Sequence, residues 1–111
     1  MKLFPEAGDI IVINFNPQSG IEIQKQRPAI VVSNSSFNQK TGLVMVCPIT
    51  STHRDFPLHV ELDKRSKTHG DILCEQLKSL DYTARNWKFA EVAPIDIFEK
   101  VMFILDKIIG R

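Results

Sequence analysis

Hydrophobic and polar positions follow a strand pattern along most of the chain. Seven short runs are either rich in β-branched residues or alternate between apolar and polar side chains, which is typical of β-strands. These predicted strands are residues 9–15, 29–33, 43–47, 58–62, 71–76, 79–82 and 88–92. Proline has no amide hydrogen to donate, so we expect Pro28 to open the second strand and Pro48 to close the third.

The period of the pattern changes after Pro94. From Ile95 to Ile109 apolar residues recur three and four positions apart, and Gly110 provides a helix stop. Many short strands followed by one helix predict a mainly β fold, a small and strongly bent barrel with a C-terminal helix against it. This helix is more apolar than one barrel face requires, so part of it packs either deep in the core or on a partner subunit.

Length and composition predict one globular domain spanning residues 1–111. The chain is 43% hydrophobic and 24% charged, so a core can form without a disulfide or a metal. Cys47 and Cys74 each lie inside an apolar run, which favours buried free thiols over catalytic or bridged ones. No run is long enough to span a membrane, and polar residues follow Lys2 too soon for a signal peptide. We therefore expect a cytoplasmic protein.

The net charge of +1 gives no global attraction for nucleic acid. An RNA partner would need local positive charge, and a normal solvated surface is the alternative explanation of every basic residue. The candidate basic residues are Lys25, Arg27, Lys40, Arg54, Lys78 and Arg85.

Residues 16–26 form an unusually long connection between the first two predicted strands, because two to five residues usually suffice in a hairpin. This segment carries Glu22, and Arg27 follows it. A carboxylate can take the proton of a 2′-hydroxyl, and a guanidinium can hold two phosphate oxygens. The pair therefore has the minimum chemistry for phosphodiester transfer, although two solvated surface charges would look the same.

A second polar segment, residues 48–57, follows the third strand. Its hydroxyls could bind phosphate and Phe56 could stack on an unpaired base, although a polar turn is the simpler interpretation. The histidines His53, His59 and His69 show no metal-ligand spacing, and no glycine-rich phosphate loop is present. We therefore expect neither a metal nor a cofactor, and a nuclease here would use the RNA's own 2′-hydroxyl as its nucleophile.

Several blocks of sequence together resemble the MazF/PemK family of toxins. The blocks are Gly8–Ile10, Phe15–Glu22, Arg27–Ser33, Phe37–Gly42, Val46–Thr50, Gly70–Asp81 and Val92–Pro94. They cover nearly the whole chain, in the right order and without large gaps, and their combination is specific. The resemblance implies an SH3-like barrel that forms a homodimer. It also implies metal-independent cleavage of single-stranded mRNA, with 2′,3′-cyclic phosphate and 5′-hydroxyl ends, and inhibition by a MazE-like antitoxin.

Position by position, the resemblance assigns the essential arginine to Arg27, the phosphate-binding threonine to Thr50 and the loop glutamate to Glu22. Some relatives place a histidine at Ile21 and an arginine at Leu73, and this chain has neither. The general base stays open between Glu22 and Glu75, with Glu22 expected to assist proton transfer, and no general acid is identified. Residues expected to contact RNA are Asn16, Gln18, Lys25, Ser51, His53, Phe56, Gln76 and Lys78.

Two other functions compete with this one. The same barrel could be a non-catalytic module that binds RNA or protein, and the changes at Ile21 and Leu73 keep that alternative open. The CcdB toxins look similar in fold and attack DNA gyrase through a C-terminal tryptophan. The only tryptophan here, Trp87, lies far from the end of the chain.

Overall fold

Seven strands form one antiparallel sheet in the computed structural model, which describes residues 2–15 and 26–111. The strands are β1 (Asp9–Asn14), β2 (Gln26–Val31), β3 (Leu43–Thr50), β4 (His59–Glu61), β5 (Asp71–Leu73), β6 (Lys78–Asp81) and β7 (Lys88–Val92). Two helices, α1 (Ser35–Thr41) and α2 (Ile95–Ile109), and two 3-10 turns, Cys74–Gln76 and Tyr82–Ala84, complete the described elements.

Strand β3 is the centre of the sheet, whose order is β4-β5-β3-β2-β1-β7 with β6 also paired to β3. The first half of β3 pairs with β6 through residues 43–46, and its end pairs with β5 through Ile49 and Thr50. Strand β3 therefore pairs first with β6 and then with β5, and this change of partner brings the ends of several strands together.

Both prolines lie inside strands, so the two proline-based boundaries were wrong. Pro28 is the third residue of β2 and pairs with Val12 of β1, whereas the pairing of β2 with β3 begins only at Ala29. Pro48 lies in β3 between the segment paired with β6 and the segment paired with β5. Each proline, which lacks an amide hydrogen, therefore occupies a position that is paired with a strand on one side only.

Helix α1 was not predicted. It has only seven residues, too few to show a helical period. Its ends carry the usual signals: the side chain of Asn34 accepts hydrogen bonds from the amides of Ser36 and Phe37, and Gly42 adopts a φ of 75°.

The sheet buries side chains on both faces. One cluster packs α2, through Ile97, Val101 and Leu105, against Ile10 and Ile30 of the sheet. The other cluster alternates with the first along the strands and includes Ile11, Ile13, Ala29, Val31, Val44, Val46, Leu80 and Tyr82. Cys47 and Cys74 are buried free thiols.

Helix α2 has the predicted bounds and two different faces. Ile97, Val101 and Leu105 are buried, whereas Ile95 and Phe103 are more than half exposed. The helix therefore covers the core and also leaves apolar surface uncovered. Within residues 2–15 and 26–111, no helix is long and apolar enough to cross a membrane.

Glu91 of β7 fastens the segment that precedes β5. Its carboxylate accepts hydrogen bonds from the amides of Lys67 and Thr68, at 3.1 and 2.8 Å, and from the Thr68 hydroxyl at 2.7 Å. Burial opposes ionisation, but these donors outweigh it and hold the pKa of Glu91 below its ordinary value. Stability from this lowered pKa is present above the unfolded-state pKa and is lost as the pH falls through the folded-state pKa.

Replacing Glu91 with Gln should lower the free energy of unfolding at neutral pH by about 1–2 kcal/mol, because hydrogen bonds to a charged acceptor are lost. The difference from the unmodified protein should shrink as the pH falls from the ordinary glutamate value of 4.5 through the lowered pKa of Glu91. Urea unfolding at pH 7 and pH 3.5 measures both effects, with the exposed Glu99→Gln as the control. A Glu91→Gln deficit of the same size at both pH values would contradict this interpretation.

Candidate functional site

An open groove of about 440 Å³ lies where β2, β4, the end of β3 and the turn after β5 meet. It is lined by Arg27, Thr50, Thr52, Arg54, His59, Leu73, Glu75 and Gln76. Arg27, Thr50, Glu75 and Gln76 were all selected from the sequence, and the fold brings them together. Glu22, Asn16, Gln18 and Lys25 lie outside the described residues.

Arg27 lies near the start of β2, before that strand pairs with β3. Its side chain is exposed, and its guanidinium carbon is 6.0 Å from the centre of the Phe15 ring. Lys78 of β6 approaches the same ring, with its Nζ at 5.9 Å. Within the described part of the chain, Arg27 makes no ion pair, so its charge is available to an anion. The predicted RNA contact Lys78 therefore lies beside the predicted catalytic arginine.

Thr50 is the last residue of β3, and its Oγ1 accepts a hydrogen bond of 3.3 Å from the amide of Thr52. The backbone here is crowded by the approach to β5. A side-chain carbon on Gly70 would lie 1.9 Å from the carbonyl oxygen of Thr50, and Gly70 has a φ of 120°. Glycine is therefore required at position 70 to place the end of β3 against the start of β5.

Glu75 and Gln76 lie in the 3-10 turn that follows β5, whereas the sequence predicted a strand through residue 76. In a strand their side chains would point to opposite faces. The turn places both of them in the groove wall, so ending β5 early is what assembles this side of the site.

His59 is the groove residue that the sequence reasoning did not select as a site residue. Its Nε2 lies 3.0 Å from Oε2 of Glu75, and the edge of its ring contacts Phe56 with centroids 4.9 Å apart. The alternation around β4 had indicated only a polar, half-buried position. The useful signal appears only in three dimensions, because Glu75 is sixteen residues away.

His53 lies beside the groove and contacts Asp71 rather than lining the groove. Its Nδ1 is 2.9 Å from Oδ1 of Asp71, and this carboxylate also accepts a 2.9 Å hydrogen bond from the amide of Arg54. The hydrogen bond to Asp71 raises the pKa of His53. Burial opposes ionisation of Asp71, but the Arg54 amide and His53 outweigh it and lower the pKa of its carboxyl.

The remaining predicted RNA contacts, Ser51 and Phe56, are exposed in the same 51–57 segment and lie outside the groove lining. Two guanidinium groups, those of Arg27 and Arg54, and the carboxylate of Glu75 supply the charged groups of the groove. The arrangement can hold an anion with several oxygens and offers a carboxylate and an imidazole beside it.

The antiparallel sheet, the C-terminal helix and a groove that carries two guanidinium groups define a small β protein. Residues 6–109 match the family described as PemK-like, MazF-like toxin of type II toxin–antitoxin system. The chain belongs to this family, as its sequence pattern predicted.

Curated relatives and solved structures agree with this assignment. The endoribonuclease toxin MazF of Escherichia coli K12 is 35% identical over 97 residues, which are 86% of each chain. The endoribonuclease toxin ChpB of the same strain is 35% identical over 94% of this chain and 93% of its own. A crystal structure of MazF from Deinococcus radiodurans has a TM-score of 0.88 and 34% identity, covering 99% of this chain and all of that one, 100%. The predicted fold class and the predicted class of activity, an endoribonuclease toxin, are confirmed.

Replacing Gly70 with Ala should destabilise the protein by at least about 3 kcal/mol, because backbone strain and a steric clash with Thr50 act together. Gly110→Ala is the matched control. Gly110 also has a positive φ, 95°, but a side-chain carbon there meets nothing within 4 Å, so about 1 kcal/mol is expected. Urea unfolding of both variants measures the difference. Equal losses would show that the close approach at Thr50 is unimportant.

Proposed function

We propose that this chain cleaves single-stranded mRNA in the groove around Arg27, by attack of the RNA's 2′-hydroxyl on the adjacent phosphorus and without a metal ion. The observation that carries this proposal is the meeting of Arg27, Thr50 and Glu75 in one groove, although they come from three separate parts of the chain. The products would be a 2′,3′-cyclic phosphate and a 5′-hydroxyl.

Arg27 and Thr50 would hold the scissile phosphate. The Arg27 guanidinium can give two parallel hydrogen bonds to phosphate oxygens, and these strengthen as negative charge grows in the transition state. The Thr50 hydroxyl adds a short donor at the end of β3. Arg54 also lines the groove and provides a second guanidinium for a neighbouring phosphate.

Glu75 would take the proton from the 2′-hydroxyl, with Glu22 as the other candidate for this role. Glu75 is held in place by His59, whose Nε2 lies 3.0 Å from its carboxylate. An ionised carboxylate only accepts hydrogen bonds, so Nε2 carries the hydrogen in this contact. His59 is therefore proposed as a positioning residue for the base.

The RNA strand would extend from the groove over neighbouring side chains. Lys78 and Phe15 lie on one side of Arg27, and Gln76 lies in the groove wall. Ser51, His53 and Phe56 lie on the 51–57 segment, where the exposed Phe56 ring offers a stacking surface for a base. Asn16, Gln18 and Lys25 complete the proposed RNA contacts.

The partners we propose come from the relatives. Another crystal structure from Deinococcus radiodurans contains MazE with MazF; it has a TM-score of 0.86 and 30% identity over 98% of both chains. We propose that a MazE-like antitoxin blocks the RNA groove and that the toxin acts as a homodimer in the cytoplasm. The exposed apolar residues of α2, such as Ile95 and Phe103, provide surface for protein contacts.

Replacing Arg27 with Ala should slow cleavage by about two orders of magnitude or more, because a key electrostatic donor is lost. The assay is incubation of a long RNA in EDTA, followed by primer extension, with Arg111→Ala as the matched control. Discrete cuts by the unmodified protein and by Arg111→Ala, absent with Arg27→Ala, are the expected result. DNA of the same sequence should stay intact, because it lacks the 2′-hydroxyl.

Near-normal cleavage by Arg27→Ala would contradict the assignment of the phosphate site. Intact RNA after incubation with folded, unmodified protein would instead favour a binding module without catalysis.

Replacing Glu75 with Gln should lower kcat by about 100-fold with little change in KM, because a proton acceptor is lost while the shape of the groove is kept. Glu99→Gln, on α2 and outside the groove, is the control. His59→Ala should lower kcat less than Glu75→Gln does, and His59→Gln should recover part of the loss because its amide can still donate to Glu75. Equal losses in the two His59 variants would contradict a positioning role.

A further inference from the structure

Four side chains meet behind the groove wall, around the carboxylate of Asp71. We call them the Asp71 cluster: His53, His59, Glu61 and Asp71. Asp71 is fully buried at the start of β5, where it pairs with Thr50 of β3 on one side and Glu61 of β4 on the other. The Asp71 carboxylate is thus approached by two imidazoles and by a second carboxylate.

Three members of this cluster bring ligand atoms close enough together to share a metal ion. Ligand atoms of His53, Glu61 and Asp71 all lie within 4.8 Å of one another. His53 Nδ1 is 2.9 Å from Asp71 Oδ1 and 3.8 Å from Glu61 Oε2. Four ligands around a tetrahedral zinc ion lie about 3.3 Å from each other, given bonds of about 2.0 Å. One observed distance, 2.9 Å, is therefore shorter than this ligand–ligand distance, and the other, 3.8 Å, is longer.

His59 provides an independent sign that a ligand belongs here. Its side chain is only 10% exposed, and its buried Nδ1 has no hydrogen-bond partner among the described residues. Nδ1 points toward Asp71, whose Oδ2 is 3.8 Å away, too far for a hydrogen bond. One bridging water would need about 4.5 Å between the two atoms and a shared tetrahedral zinc ion about 3.3 Å, so the observed 3.8 Å is nearer to the distance for a shared ion.

The contact with Glu75 explains why this nitrogen can accept a metal. The proposed site uses the tautomer in which Nε2 donates its hydrogen to Glu75, 3.0 Å away, and Nδ1 carries a lone pair. A metal-bound histidine commonly donates its other ring N–H to a carboxylate in this way, which fixes the orientation of the ring. Glu75 would thus support the ligand from the groove side.

We propose that the Asp71 cluster is a zinc-binding site, with His53 Nδ1, His59 Nδ1 and the carboxylates of Glu61 and Asp71 as ligands. Binding would release the hydrogen that His53 Nδ1 shares with Asp71 and replace that hydrogen bond with a bond from each group to the ion. Two imidazoles combined with two carboxylates suit zinc, whereas magnesium and calcium prefer oxygen ligands alone. The ion would also offset the two carboxylate charges, one of which is fully buried.

The zinc site would adjoin the RNA groove. Of its ligands only His59 lines the groove, and His53 is also a proposed RNA contact, whereas Glu61 and Asp71 lie outside the groove lining. The ion would fasten the 51–57 segment, which carries His53, to β4 and β5. This departs from the expectation of no metal site, and the spacing of residues 53, 59, 61 and 71 matches no metal motif.

Equilibrium dialysis and calorimetric titration with zinc chloride test the site on the full chain, after treatment with a chelator. We expect one zinc ion per chain, and binding weaker by at least about tenfold in His53→Ala and in Glu61→Gln. Both side chains are more than half exposed, so these variants should fold, which circular dichroism checks. His69→Ala is the matched control, because it removes an exposed histidine outside the cluster and should bind zinc normally.

Failure of the unmodified protein to bind zinc would overturn the proposal, and so would unchanged affinity in both His53→Ala and Glu61→Gln. An equal loss of affinity in His69→Ala would show binding by surface histidines in general, which also overturns it. Magnesium chloride in place of zinc should give no binding. The readout is binding alone, so this result is independent of whether the chain cleaves RNA.

Discussion

The buried carboxylate of Asp71 is the constraint from which the geometry of the groove follows. A charge taken out of water is costly unless donors surround it. Here the donors are the amide of Arg54 and the ring of His53, both from the segment after β3. Satisfying Asp71 therefore fixes the path of that segment. The same path brings Thr52 and Arg54 to the groove wall. The hydrogen bonds that the buried Asp71 carboxylate requires therefore also position these more exposed residues.

Changes of strand partner explain why the groove opens at this place. Strand β3 exchanges β6 for β5 around Pro48, and β5 lasts only three residues before the chain turns. Each strand end releases a side chain from the sheet: Thr50 from β3, Glu75 after β5. Arg27 has the same origin, because it precedes the part of β2 that pairs with β3. The groove is thus built from positions where the hydrogen-bonded pairing of two strands ends. At these positions the backbone is still held by the sheet, while the side chain can face the groove.

The strand pattern, the long C-terminal helix and the family could be predicted from the sequence, because buried strands and a fifteen-residue helix leave strong periodic signals. The short helix α1 could not, since seven residues make barely two turns. Glu75 was selected through the resemblance to the family, and Arg27 through its position beside a long polar loop as well as through that resemblance. His59 was missed because its importance depends on Glu75, and alternation along β4 says only that position 59 is polar. Local pattern predicts elements, whereas contacts between distant residues depend on how those elements pack.

The two basic groups that this chain lacks give a physical reason for the role of Arg54. Where some relatives have an arginine, Leu73 is 7% exposed and contributes only apolar surface to the groove. If Arg27 were the only arginine in the groove, its positive charge would be offset by the negative charge of Glu75, and the groove would attract a polyanion weakly. In the proposed RNA site Arg54 would supply a second positive charge from a different segment, and its backbone is fastened to Asp71 by a 2.9 Å hydrogen bond. Anchoring the backbone lowers the entropy lost when a long side chain is ordered on a phosphate. The charge balance of the site is therefore maintained by a residue whose placement depends on the buried acid.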